Sequence, residues 1–199
     1  MNHDIPLTPV RARFLGRWVG LLFLITYATS IPALLLFGPV LNDAHYVTGA
    51  GSDTQIQFAA LLEFILIVAN IGSAVVLYPL VRRRFPIGAV AFVAARITES
   101  AFIGVGLLAV LSVVSLRASG SDAAALPVVA KALVAVKNWS FQFGPGFVMP
   151  IGNGMLLGWM MFRSGMVPRG LAMLGLVGGP ALLAGSAGIL FGVIDKGDP

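Results

Sequence analysis

Apolar residues run through this chain in blocks too long for a soluble helix to bury. Trp18 to Asn42, Asn138 to Phe162 and Gly170 to Ile194 each hold 25 residues without Asp, Glu, Lys or Arg. At a rise of 1.5 Å per residue, about 20 residues cross the hydrocarbon core of a bilayer. Each block is therefore long enough to span. Two further blocks are as long but carry charges inside: Phe58 to Val81 contains Glu63, and Ile87 to Leu116 contains Arg96 and Glu99. The pattern predicts five transmembrane helices, at about 18–41, 58–81, 87–116, 140–162 and 171–194, in one all-α domain covering residues 1–199.

The breaks between blocks carry turn chemistry. Gly49-Ala50-Gly51-Ser52-Asp53 follows the first, Arg82-Arg83-Arg84-Phe85-Pro86 the second, Ala118-Ser119-Gly120-Ser121-Asp122 the third and Arg163-Ser164-Gly165-Met166-Val167-Pro168-Arg169 the fourth. Proline stops a helix, and clustered arginines hold its end in water. The first block exceeds the apolar core of a cleaved signal peptide, so it predicts a retained helix. Residues 127–139 suit either a short helix at the outer interface or an extension of the fourth span, with Trp139 in the aromatic belt in both cases.

Composition narrows the class further. The chain is 58% hydrophobic and 11% charged, with a mean hydropathy of +0.94. A soluble domain carries about 25% charged residues, and one of this length lacks the interior to hide so much apolar surface. A soluble enzyme, a disordered chain and a fibre are excluded. The pI near 10.2 does not point to nucleic acid, because the 13 basic residues are scattered among membrane segments. The absence of cysteine removes disulfides and thiolate chemistry.

Basic residues set the orientation. Arg11, Arg13, Arg17, Arg82, Arg83, Arg84, Arg163 and Arg169 fall on one side, and Arg117, Lys131, Lys137 and Lys196 on the other. The positive-inside rule makes the first side, with the N-terminus, cytoplasmic. Five spans then place the C-terminus outside.

Arg96 and Glu99 are the most informative residues. Spaced i, i+3, they share a helix face and can pair. They lie about 9–12 residues from the arginine-rich turn, near the midplane. Asn70 on the preceding helix reaches a similar depth, and Glu63 lies nearer the outer interface. These four, with Thr98 and Ser100 beside them, outline a polar cluster. An intramembrane ionisable pair marks a transport, proton-relay or ligand site, or an ion pair that sets helix packing and register. Two acids against one arginine leave a carboxyl that needs a proton or a partner. The fourth span holds four glycines and two prolines within Gly144–Gly154. Such a segment either frees backbone groups for a midplane site, with Asn153 and Gln142 as its polar side chains, or lets helices pack closely. Gly154-xxx-Gly158, Gly175-xxx-Gly179 and Gly188-xxx-Gly192 favour close packing.

Other motifs carry no chemistry. Gly104-x-Gly106-x-x-Ala109 lies inside a membrane helix with no strand before it, unlike a dinucleotide fingerprint. His3 and His45 lie far apart and outside the spans, so no metal site is expected. No nucleophile elbow and no phosphate loop occur, and no cofactor is implied. Asn138-Trp139-Ser140 is a glycosylation sequon in form alone, since it abuts the membrane.

The stretch from Asn138 to Phe147, then Gly158 through Arg163-Ser-Gly-Met-Val-Pro-Arg169, resembles the bacterial multipass proteins grouped as the domain of unknown function 4386 family. Leu174 to Pro180, Leu190 to Ile194 and the Arg96-Ile-Thr-Glu99 pattern are similar to that family too, so the likeness covers roughly residues 12–197. It implies a helical bacterial inner-membrane protein without an established activity. Members of the family usually continue into a further helix with an acidic residue, whereas this chain stops at Asp198-Pro199. By that resemblance it is a shortened member or lacks the last span, and with it a partner for the polar cluster.

Two functions follow as expectations. One is a non-enzymatic membrane protein whose polar cluster is structural or supports assembly, with the lipid bilayer, further copies of itself or another membrane protein as partners. The other is a small-solute or ion transporter, with Arg96 and Glu99 at the midplane and the fourth helix lining a path.

Overall fold

The computed structural model describes residues 8–43, 46–49, 51–119 and 125–194. Among the described residues, four helices are long and apolar enough to cross a membrane: α1 (Pro9–Leu36), α3 (Asp53–Val81), α4 (Pro86–Ala118) and α7 (Arg169–Leu190). A short α2 (Gly38–Asn42) follows α1. Between α4 and α7 a fourth rod runs through α5 (Leu126–Phe143), two π-helical stretches (Gly144–Val148 and Pro150–Leu156) and α6 (Leu157–Ser164). The fold is all-α, with no strand among the described residues.

Helix ends depart from the hydropathy pattern where local chemistry decides. α1 starts at Pro9, because Thr8 Oγ1 accepts the Arg11 N–H at 3.3 Å and proline suits the first helical position. Arg11, Arg13 and Arg17 therefore ride on its opening turns. It ends at Leu36, short of the expected 41, and the chain breaks at Phe37-Gly38-Pro39 into α2. α7 ends at Leu190 rather than 194. Gly192 adopts a left-handed φ of 68°, and the Val193 and Ile194 N–H groups fold back onto the Gly188 carbonyl. The stretch 127–139 extends the fourth rod and is not a separate interfacial helix.

Each rod packs on the next: α1 on α3, α3 on α4, α4 on the fourth rod, and that rod on α7. Short connections make neighbours antiparallel, so the Arg82–Arg84 turn and the Arg163–Arg169 turn share one end with the start of α1. On α1 the buried positions include Thr26 and Thr29, while Leu24, Ile31 and Leu35 are exposed. An exterior as apolar as the interior fits a bilayer as solvent.

Two apolar clusters fill the core, one at each end. Toward the turn between α1 and α3 it gathers Phe37, Tyr46, Ile56, Ala60, Val110 and Val113. Toward the arginine-rich turns it gathers Leu77, Val81, Ala89, Phe92 and Met160. The buried Glu63, Asn70, Arg96 and Glu99 lie between them in the sequences of α3 and α4.

The loop before α3 is strapped to the end of α4. Arg117 donates to Asp53 Oδ1 at 2.8 Å, to the Gly51 carbonyl at 2.6 Å and to the Gly49 carbonyl at 2.7 Å. Tyr46 lies under the guanidinium, 4.9 Å from its ring centroid, and donates to Asp53 Oδ1 at 2.9 Å. A Cβ on Gly51 would fall 2.1 Å from the Tyr46 ring, so this position has no room for a side chain. Burial, with Asp53 beside it, pushes the Tyr46 hydroxyl up to about 12.

Glycines join the fourth rod to α7. A Cβ on Gly154 would lie 2.8 Å from Gly179 Cα, and one on Gly175 would lie 2.8 Å from the Gly154 carbonyl oxygen. Gly154-xxx-Gly158 and Gly175-xxx-Gly179 thus interlock within one chain, and these glycine-rich faces are already occupied. Gly188 faces Ile194 of its own chain.

Candidate functional site

The polar layer contains two ion pairs, set by the helical phase of α3 and α4. Arg96 and Glu99 stand one turn apart on α4, and Arg96 Nη1 donates to Glu99 Oε2 at 2.8 Å. Arg96 Nη2 donates to Asn70 Oδ1 on α3 at 2.6 Å, and the Phe23 ring of α1 covers the guanidinium at 5.6 Å. Arg96, Glu99 and Asn70 are 2%, 5% and 2% exposed. One arginine thereby ties three helices together. Arg96 Nε, Asn70 Nδ2, Ser100 Oγ and Asn153 Oδ1 are buried without a hydrogen-bond partner.

Glu63 does not join this group. It lies seven residues before Asn70 on α3, about 10 Å along the axis, and pairs with Lys137 of α5. Lys137 Nζ donates to both carboxylate oxygens, at 2.5 and 2.6 Å. The Phe37 ring covers the ammonium at 4.8 Å. Lys137 is 4% exposed, so it lies in the core and not at the outer surface where the charge count placed it. The spare carboxyl of the sequence count has a cation as its partner.

Gly106 makes that pair geometrically possible. A Cβ there would lie 2.8 Å from Lys137 Cδ and 2.3 Å from Ser140 Oγ. The lysine stem crosses α4 over this bare glycine on its way to α3. No motif analysis of Gly104-x-Gly106 indicates this role, because it depends on which rod lies alongside. Depth is the one usable signal: Glu63 lies ten residues into α3 and Lys137 eleven into α5, counted from helix ends on the same side.

Gln142 and Asn153 stand elsewhere on the fourth rod. Gln142 Nε2 donates to the Ser186 carbonyl at 3.2 Å, and Ser186 Oγ donates to the Gly146 carbonyl at 2.8 Å. Pro150 has no N–H, so the Gly146 carbonyl, four residues before it, lacks its α-helical donor. The Ser186 hydroxyl supplies this carbonyl with a donor from α7. Asn153 lies in the second π-helical stretch, partly exposed. Thr98 faces outward and takes no part in the layer, whereas Ser100 is buried. His3, His45 and Lys196 lie outside the described residues.

A family described as a domain of unknown function (DUF4386) matches residues 18–196. This chain belongs to the DUF4386 family. No curated protein and no solved structure matches it. The family match spans both ion pairs, the π-helical stretches and the glycine contacts of this DUF4386 chain. It is a membrane protein by the length and apolarity of its helices.

Proposed function

We propose that this DUF4386 chain is a non-enzymatic protein of the bacterial inner membrane, crossing it five times with its N-terminus in the cytoplasm. Its buried ion pairs serve to hold the rods in register. The observation that carries this reading is one-to-one pairing: each buried carboxylate of the polar layer faces one buried cation, on Arg96 for Glu99 and on Lys137 for Glu63. A neutral, hydrogen-bonded layer between two apolar clusters supports a clamp. The arginine-rich ends support the orientation. The exposed apolar faces of the edge helices α1 and α7 suit lipid, a second copy of the chain or another membrane protein.

A transporter for a small solute or ion is the second reading. The π-helical, twice-proline fourth rod and the unpartnered Arg96 Nε and Asn70 Nδ2 favour it. Thermal unfolding of wild type, Arg96→Met, Glu99→Gln and the double variant separates the two. A clamp predicts that each single change costs about 3–5 kcal/mol, because it strands a buried charge or its partner, and that the double variant recovers much of the loss. Single variants as stable as wild type, or more so, would overturn the clamp and favour transport.

A further inference from the structure

The Glu63–Lys137 pair is buried, yet both residues line a crevice. This crevice, of about 120 Å³, opens between α1 and α5, with the pair at its floor. Its rim carries Ile31 and Leu34 of α1 and Phe141 of α5, which are 58%, 53% and 43% exposed. Exposed apolar side chains at the mouth direct it sideways into lipid, not toward water. Phe37 and Ser30 complete the wall near the pair.

We propose that this crevice binds the head of a neutral, ring-headed lipophile bearing a hydroxyl group. Four features of the site select that chemistry. First, the crevice, at about 120 Å³, is close in size to an engineered cavity of about 150 Å³ that holds benzene, so its occupant's head is no larger than one small ring. Second, the pair at the floor is electrically neutral. A charged head would bring an uncompensated ion into low dielectric, whereas a neutral head adds no such cost. Third, the pair has unused hydrogen-bonding capacity. An ammonium has three donors, of which two reach Glu63, and each carboxylate oxygen accepts more than one bond. A hydroxyl both donates and accepts, so one group can answer Lys137 and Glu63 together. Fourth, the rim leaves an attached alkyl chain in contact with side chains like itself. The site goes beyond the clamp reading, since it gives the Glu63–Lys137 pair a ligand in addition to its part in holding the rods.

The test uses the full chain in detergent and measures thermal unfolding with 4-decylphenol as the probe. Decylbenzene has the same ring and tail without the hydroxyl, and decanoate carries a charged head. At a hundredfold excess over its Kd, 4-decylphenol is expected to raise the Tm by about 5–10 °C, with much smaller shifts from the other two. Ile31→Trp fills the mouth without touching the ion pair and is expected to abolish the shift. The Glu63→Gln/Lys137→Met double variant, which keeps the shape but removes the charges, is expected to bring 4-decylphenol down to the level of decylbenzene. Equal shifts from 4-decylphenol and decylbenzene on wild type would overturn recognition of the hydroxyl. A stronger shift from decanoate would overturn the neutral head, and an undiminished shift in Ile31→Trp would overturn the crevice. The absence of any shift on wild type would overturn the proposal as a whole.

Discussion

Gly106→Ala tests how the lysine reaches its carboxylate. An added Cβ would meet Ser140 Oγ at 2.3 Å and Lys137 Cδ at 2.8 Å. Neither atom is free to give way. Ser140 Oγ donates to the Lys137 carbonyl at 2.8 Å, and Lys137 Nζ is held by both Glu63 oxygens. Overpacking a tight site costs about 1–3 kcal/mol. Rotating Ser140 away loses a buried hydrogen bond worth about 0.5–1.5 kcal/mol. Against this, alanine in a helix interior gains roughly 0.5–1 kcal/mol over glycine. The net loss is about 1–3 kcal/mol, or a fall in Tm of about 2–12 °C for a chain of this size. Gly104→Ala, two residues earlier, is the control. Its Cβ would find only Ile67 Cδ1, at 3.9 Å, so the helix gain stands alone and the Tm is expected to rise by about 1–4 °C. Parallel melts of both variants decide the matter. If Gly106→Ala melts at or above wild type, or tracks Gly104→Ala, the lysine does not depend on that gap.

Two further outcomes are expected. Without added ligand, Lys137→Met should lower stability by about 3–5 kcal/mol by leaving Glu63 buried without its cation, and adding Glu63→Gln should restore much of it; a double variant that falls by the sum of the singles would refute the pairing. Tyr46 should ionise near 12 in a spectrophotometric titration, and Tyr46→Phe should leave the other tyrosines unaffected. Because its folded pKa is raised above the ordinary 10, its contribution to stability is present below pH 10 and lost as pH rises toward 12. A Tyr46→Phe variant whose alkaline stability profile matches wild type across that window would refute this linkage.

What the sequence alone determined is what the bilayer and the helix period impose locally. A long, largely apolar run crosses hydrocarbon as a helix that satisfies its own backbone polar groups, so the α3, α4 and α7 segments were legible to within a few residues, even with the charges inside α3 and α4. The Arg96–Glu99 pairing was legible for the same reason, since one helical turn sets it without reference to the rest of the chain. The fourth rod shows the limit. Its prolines and glycines announced irregular backbone, but not that the Ser186 hydroxyl of α7 bonds the Gly146 carbonyl. The partner of Glu63 was hidden more deeply. Lys137 lies 74 residues away and reads as a surface lysine in a charge count. Its place in the core depends on the rotation of α5 about its axis and on a missing side chain at Gly106 of a third helix. Only tertiary packing decides such matters, because the cost of a buried charge is weighed against whichever neighbour the folded chain brings within reach.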